Sequence, residues 1–119
     1  MKNTLVFGAS LKPVRISNMT VNRLLESGIE TQAFGFVSGE IQGLPVVTST
    51  EELEPAETIT LYMNPQRQKA FYDTILGLKP KRVIFNPGTE NPEFYRLLLE
   101  NGIQAEEACT LTLLAIGQY

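Results

Sequence analysis

Histidine is absent from the sequence, and cysteine occurs once, at Cys109. Without an imidazole the chain has no His-based triad, no histidine metal ligand and no ordinary near-neutral general base. A lone cysteine excludes an internal disulfide framework and fits a reducing compartment. Long apolar runs are missing too, so no segment reads as a membrane span. The opening Met1 to Gly8 lacks the shape of a secretion signal, because its apolar stretch ends after a few residues. The expectation is a cytoplasmic chain. Acidic residues are missing from the first quarter: between Met1 and Leu25 the charges are Lys2, Lys12, Arg15 and Arg23, and every Asp and Glu lies at Glu26 or later. On a chain of formal net charge -3, that asymmetry points to a local anion site. It argues against a nucleic-acid face or an anionic membrane surface.

What is present is an alternation of short apolar strands and helical patterns. The 119 residues suit a single domain, residues 1–119. Thr4-Leu5-Val6-Phe7 is a compact apolar run ending at Gly8 and predicts a buried strand. Ser17 or Asn18 is placed to cap a helix with Met19, Val21, Leu24 and Leu25 on its apolar face, ending at Gly28. A second strand falls within Ile29 to Phe36. Gly39 to Val47 is a turn-rich connector with room for a short hairpin. Glu57 to Tyr62 reads as the third strand and Asn64-Pro65 as the start of a helix running to Gly77. Arg82 to Phe85 is the fourth strand, Pro92 opens a helix ending at Gly102, and Ile103 to Glu107 is the fifth. Ala108 to Gly117 is expected to be helical.

Such alternation implies an α/β fold in three layers, with a parallel sheet of about five strands and helices on both faces. The expected strand order is 3-2-1-4-5. Ligands of such sheets settle beyond the carboxyl ends of the strands where the order reverses. That order puts the crevice between the first and fourth strands, lined by Gly8 to Ile16 and by Asn86 to Thr89.

The first of these loops carries the chemistry. Gly8, Ala9 and Ser10, with Lys12, Arg15 and Ser17, lead from a strand into a capped helix. Gly8 admits close backbone approach, Ser10 offers a hydroxyl, and the helix start supplies free N–H groups and the positive end of a dipole. Lys12 and Arg15 add full charge, and the set makes a phosphate seat. The same pattern also serves as an ordinary strand-to-helix turn with two solvated bases. The loop is neither a dinucleotide fingerprint, which needs glycine at Ser10 and Pro13, nor a Walker loop.

The end of the second strand, Phe34-Gly35-Phe36-Val37, has no acid to hold free ribose hydroxyls, although Glu40 follows. An edge of this kind suits a ribose that carries its own phosphate, which favours coenzyme A or NADP over NAD. Of Phe34 and Phe36, one is expected to fill the core and the other either to flank an adenine ring or to be covered by the connector. Tyr62 ends the third strand with a phenol near the crevice, or as a half-buried strand residue. Asn64 and Asn86 are placed to bond the amides of a pantetheine arm, or to act as turn and cap residues. Pro87 and Gly88 complete the second crevice loop. Cys109 reads as inert packing, with a mixed disulfide to a thiol ligand as the alternative.

Thr4-Leu5-Val6-Phe7-Gly8-Ala9-Ser10 followed by Pro13, Arg15 and Ser17 resembles the opening of the small stand-alone CoA-binding domain proteins. These are related to the CoA-binding domain of the succinyl-CoA synthetase alpha subunit. Gly39-Glu40-Ile41-x-Gly43-x-Pro45-Val46, Arg82 to Gly88, and Glu107-Ala108-Cys109 are similar to the same family, so the resemblance spans essentially the whole chain. It implies a Rossmann-like fold that binds CoA, free or acylated, through Gly8, Ala9, Ser10, Lys12, Arg15 and Ser17. Phe34 to Val37 would form the adenosine edge, and Asn64, Asn86, Pro87 and Gly88 the crevice loops. The synthetase's phosphohistidine and its separate domain have no counterpart here, so transfer chemistry does not follow from the fold. Beside a CoA-binding module, two other classes stay open. One is an enzyme, either an NAD(P)-linked oxidoreductase or a CoA-dependent transferase, with Glu90 as the nearest acid. The other is a scaffold subunit that has lost its ligand.

Overall fold

The computed structural model describes residues 3–119, so Lys2 lies outside the described residues. The elements are β1 (Asn3–Phe7), α1 (Ile16–Glu26), β2 (Glu30–Phe34), β3 (Gly39–Ile41), β4 (Leu44–Val47), β5 (Thr58–Leu61), α2 (Pro65–Gln68), α3 (Tyr72–Gly77), β6 (Arg82–Phe85), α4 (Pro92–Glu100), β7 (Gln104–Glu107) and α5 (Thr110–Ala115). Among the described residues they build a Rossmann-like α/β sheet of seven strands in the order β3-β4-β2-β1-β5-β6-β7. All neighbours are parallel except β3 against β4.

The two faces of the sheet follow from the strand period of two. Leu5, Phe7, Ile59, Leu61, Val83 and Phe85 share one core with Ile75 of α3 and with Phe94 and Leu98 of α4. Val6 and Ala33 belong to the other, beside Val21 and Leu24 of α1, with Leu114 of α5 packed against them. The helix stops expected at Gly28 and Gly102 hold, both at positive φ (72° and 73°). The long helix expected from Asn64 to Gly77 is instead broken into α2, a 3-10 turn at Lys69–Phe71, and α3.

The expected five strands in order 3-2-1-4-5 are corrected. The connector between the second and third expected strands folds back on itself, with Gln42 at φ 48° and Gly43 at φ 81° making the tight reversal a hairpin needs. Its second arm, β4, then pairs with β2 through Ala33↔Val46 and Phe34↔Val47. The outer edge of β2 is thereby filled, and the next strand must go elsewhere. β5 enters on the far side of β1, in register Phe7↔Leu61, and its four residues are all buried between β1 and β6. The reversal of strand order therefore lies between β1 and β5, not between β1 and β6.

Candidate functional site

At this reversal, beyond the carboxyl ends of β1 and β5, lies a cavity of about 430 Å³, of a size usual for small-molecule sites. Its first wall is the β1–α1 loop with Gly8, Ala9, Ser10, Leu11, Lys12, Arg15 and Ser17. Much of this loop is fixed from within. The amides of Gly8 and Ala9 both donate to the Phe34 carbonyl at 2.8 Å. Ser10 N donates to Ser17 Oγ at 3.1 Å, and Asn18 Nδ2 donates to the Ser10 carbonyl at 2.9 Å. Lys12 N donates to Ser10 Oγ at 3.1 Å, which leaves the Ser10 hydroxyl proton to donate outward.

These bonds correct two details of the sequence reading. The helix begins two or three residues earlier than expected: Arg15 is its N-cap, with no side-chain cap bond, and Ser17 and Asn18 brace the loop instead. Gly8 serves the fold before it serves a ligand, because a Cβ there would stand 3.0 Å from the Tyr62 carbonyl, at φ 107°. What the wall offers an anion is the charge of Lys12 and Arg15, the Ser10 hydroxyl and the uncapped first turn of α1.

The second wall comes from the end of β2 and the β5–α2 turn: Phe36, Val37, Tyr62, Met63, Asn64 and Arg67. Phe36 is 52% exposed, whereas Phe34 is buried and stacks on Phe7 at 4.7 Å between ring centroids. Of the two phenylalanines, Phe34 is the core residue and Phe36 the crevice residue. Tyr62 reaches across to α1, its hydroxyl 2.5 Å from Thr20 Oγ1, and burial raises its pKa above the ordinary phenol value. It thus ties the first turns of α1 to β5. Asn64 caps α2 by accepting from Arg67 N at 2.9 Å, with Pro65 at the first helical position. Arg67 lies over the Phe36 ring, its guanidinium carbon 5.1 Å from the centroid.

Arg67 was missed by sequence reasoning, together with Met63, whereas Leu11 lies within the Gly8 to Ile16 loop expected to line the crevice. The available signal was a capped helix start, Asn64-Pro65-x-Arg67, directly after a strand; it was legible only once that strand was known to adjoin β1. Three cations, Lys12, Arg15 and Arg67, now face one cavity, and its lining holds no Asp or Glu. Among the described residues the ion pairs are Arg23–Glu26 and Arg82–Glu106, so none of the three is neutralised by a neighbouring carboxylate.

Five expected residues fall outside this lining, the core residue Phe34 among them. Gly35 is packed under the loop, where a Cβ would stand 2.3 Å from the Ala9 carbonyl. Asn86 is buried beyond the end of β6, donating to Thr60 Oγ1 at 2.8 Å and the Leu61 carbonyl at 2.9 Å and accepting from Thr110 N at 2.9 Å. Pro87 and Gly88 are exposed on the same turn, one strand away from the crevice, with Gly88 N donating to Glu90 Oε1 at 2.9 Å. Their placement in the crevice is thus corrected along with the strand order. Cys109 is the half-buried N-cap of α5, where the Thr112 side chain holds its thiol below the ordinary range.

Known proteins bear on this arrangement. A crystal structure of an uncharacterized protein is 44% identical, with TM-score 0.95 over 100% of this chain and 98% of that one. A protein of Thermus thermophilus shares 24% identity and the fold, with TM-score 0.87 over 99% of this chain and 91% of that one. Aspartate semialdehyde dehydrogenase II of Vibrio cholerae, 16% identical with TM-score 0.54, covers 98% of this chain and 46% of its own, and shows a likeness of fold alone. No match was found among curated proteins. The model of the CoA binding domain matches residues 2–115, and the chain belongs to that CoA-binding domain family.

Proposed function

We propose that the chain binds coenzyme A, free or acylated, in the crevice between β1 and β5, as a binding or regulatory module. The observation that carries this reading is the set of three unneutralised cations around one cavity on a chain of net charge -3. A ligand that carries phosphate groups is what such a set attracts most, and arginine holds phosphate oxygens with paired N–H donors. Lys12 and Arg15 take the diphosphate, with Ser10 and the first turn of α1 completing the seat. Phe36 and Val37 border the adenosine side. The exposed apolar side chains of Val14, Ile16 and Met19 lie on the loop and first turn of α1, where the apolar part of a long ligand arm finds cover.

A module, rather than a catalyst, is supported by the same lining. It contains no carboxylate, imidazole or thiol, the groups that usually move protons or form covalent intermediates near neutral pH. Tyr62 is the exception as a titratable neutral group, and its hydroxyl is engaged by Thr20. Thermal denaturation with CoA, NAD and NADP tests the proposal. A ligand at a hundred times its Kd adds about 2.7 kcal/mol, which in a domain of this size is a shift of about ten degrees. CoA is expected to raise Tm most. A larger rise with NAD would replace CoA by a dinucleotide, and no rise with any of the three would leave a scaffold without a ligand.

A further inference from the structure

Resting on that reading, we propose that Arg67 is the receptor for a second and separate phosphate, the one carried on the adenosine ribose. The crevice then selects ribose-phosphorylated adenine nucleotides over those whose ribose is bare. The placement of Arg67 is the first ground. It lines the same cavity as Lys12 and Arg15 but belongs to a different element, α2, whose start is set by the Asn64 cap. The next residue, Gln68, is fully buried and donates to the carbonyls of Met63 at 2.7 Å and Thr89 at 2.8 Å. The backbone beneath Arg67 is therefore fixed, although its side chain is exposed.

The second ground is what Arg67 touches. Its guanidinium lies over Phe36, just beyond the carboxyl end of β2. In sheets of this type the strand after the first helix ends beside the adenosine ribose. An acid at that point bonds bare ribose hydroxyls, and an arginine accommodates a ribose phosphate. Here Phe34 to Ser38 contains no acid, and Arg67 reaches the same point from a different element. Stacking occupies the face of a guanidinium and leaves its N–H edge to grip phosphate oxygens in pairs. A third cation, brought to the cavity by a different element and seated against Phe36, is surplus for a ligand with one anionic group and matched to a ligand with two.

Calorimetric titration of the full chain with CoA and with 3′-dephospho-CoA separates these claims, because the two ligands share everything except the ribose phosphate. The unsubstituted protein is expected to bind CoA about tenfold more tightly than dephospho-CoA. Arg67→Ala and Arg67→Gln are expected to bring that ratio to within about twofold, by weakening CoA more than dephospho-CoA. Arg15→Ala is expected to weaken both ligands in parallel. The inference is overturned if the unsubstituted protein does not discriminate, or if discrimination survives both Arg67 variants. It is equally overturned if those variants weaken both ligands alike, which would put Arg67 on the diphosphate. Failure of the unsubstituted protein to bind either ligand is a different result, and it removes the proposed function itself.

Discussion

β5 and β6 lie side by side, and each runs into an Asn-Pro turn at the same edge of the sheet: Asn64-Pro65 after one, Asn86-Pro87-Gly88 after the other. Asn64 is exposed, caps α2 with one bond and in doing so presents Arg67 to the crevice. Asn86 is 2% exposed and spends its side chain on Thr60, Leu61 and Thr110, clamping β5, β6 and the start of α5 together. The residue types are alike and the destinations of their polar atoms are opposite. What separates them is the neighbour. β5 adjoins β1, where the strand order reverses and nothing covers the ends, whereas the turn after β6 is roofed by Thr110 at the start of α5. A turn at a reversal keeps its surroundings open for a ligand, and a turn under a roof closes on itself.

Substitutions at the two asparagines test this contrast most directly. Asn86→Ala removes three buried hydrogen bonds at once, taking this partner from the Thr110 amide and the Leu61 carbonyl while Thr60 Oγ1 keeps Thr110 Oγ1 at 2.8 Å, and is expected to cost about 3 kcal/mol in urea denaturation. CoA affinity of the folded fraction should stay within about twofold, since the site lies more than one contact away. A loss under about 0.5 kcal/mol would mean the clamp is ornamental. On the crevice side, Arg15→Ala is expected to weaken CoA about tenfold, equivalent to about 1.4 kcal/mol, with no measurable change in unliganded Tm. The residual affinity should also depend less steeply on salt, because an exposed charge has been removed. A Tm drop without an affinity change would invert the roles of the two regions. Asn64→Ala removes a helix cap and is expected to cost about 1 kcal/mol, well below the Asn86 effect. Parity between the two asparagines would erase the distinction drawn here.

The architecture was legible where one physical demand acted alone. A compact apolar run closed by glycine marked β1, Arg82 to Phe85 marked β6 without error, and glycines at positive φ ended α1 and α4 as expected. Strand order was not legible, because it turned on a competition for the outer edge of β2. The hairpin won that edge through a reversal at Gln42-Gly43 that propensity alone does not announce. In hindsight the burial of all four residues of β5, including Thr58 and Thr60, is the mark of a central strand. The basic loop survived the error because β1 is central in either order. Arg67 did not, because the wrong order put the turn after β6 beside β1, and beyond β5 only Tyr62 and Asn64 were picked out.

The smallest expected effect lies where the roof over that β6 turn begins. Cys109 caps α5, and its thiol is held below the ordinary range chiefly by the Thr112 side chain, with the amides of Leu111 and Thr112 adding to this against the opposing pull of burial. A hydroxyl that donates to sulfur favours thiolate over thiol, so deleting it must raise the pKa. Thr112→Val is therefore expected to shift the midpoint of the pH profile for iodoacetamide alkylation upward. Because the thiolate is the nucleophile, alkylation at a fixed pH below the midpoint should slow. The midpoint, and not the rate, is the useful readout, since half-burial slows both proteins alike. Saturating CoA should leave the midpoint of either protein unchanged, because Cys109 is no part of the crevice lining. A CoA-dependent shift would show that the two neighbouring turns are not independent, and that what is bound beside β5 is felt under the roof of β6.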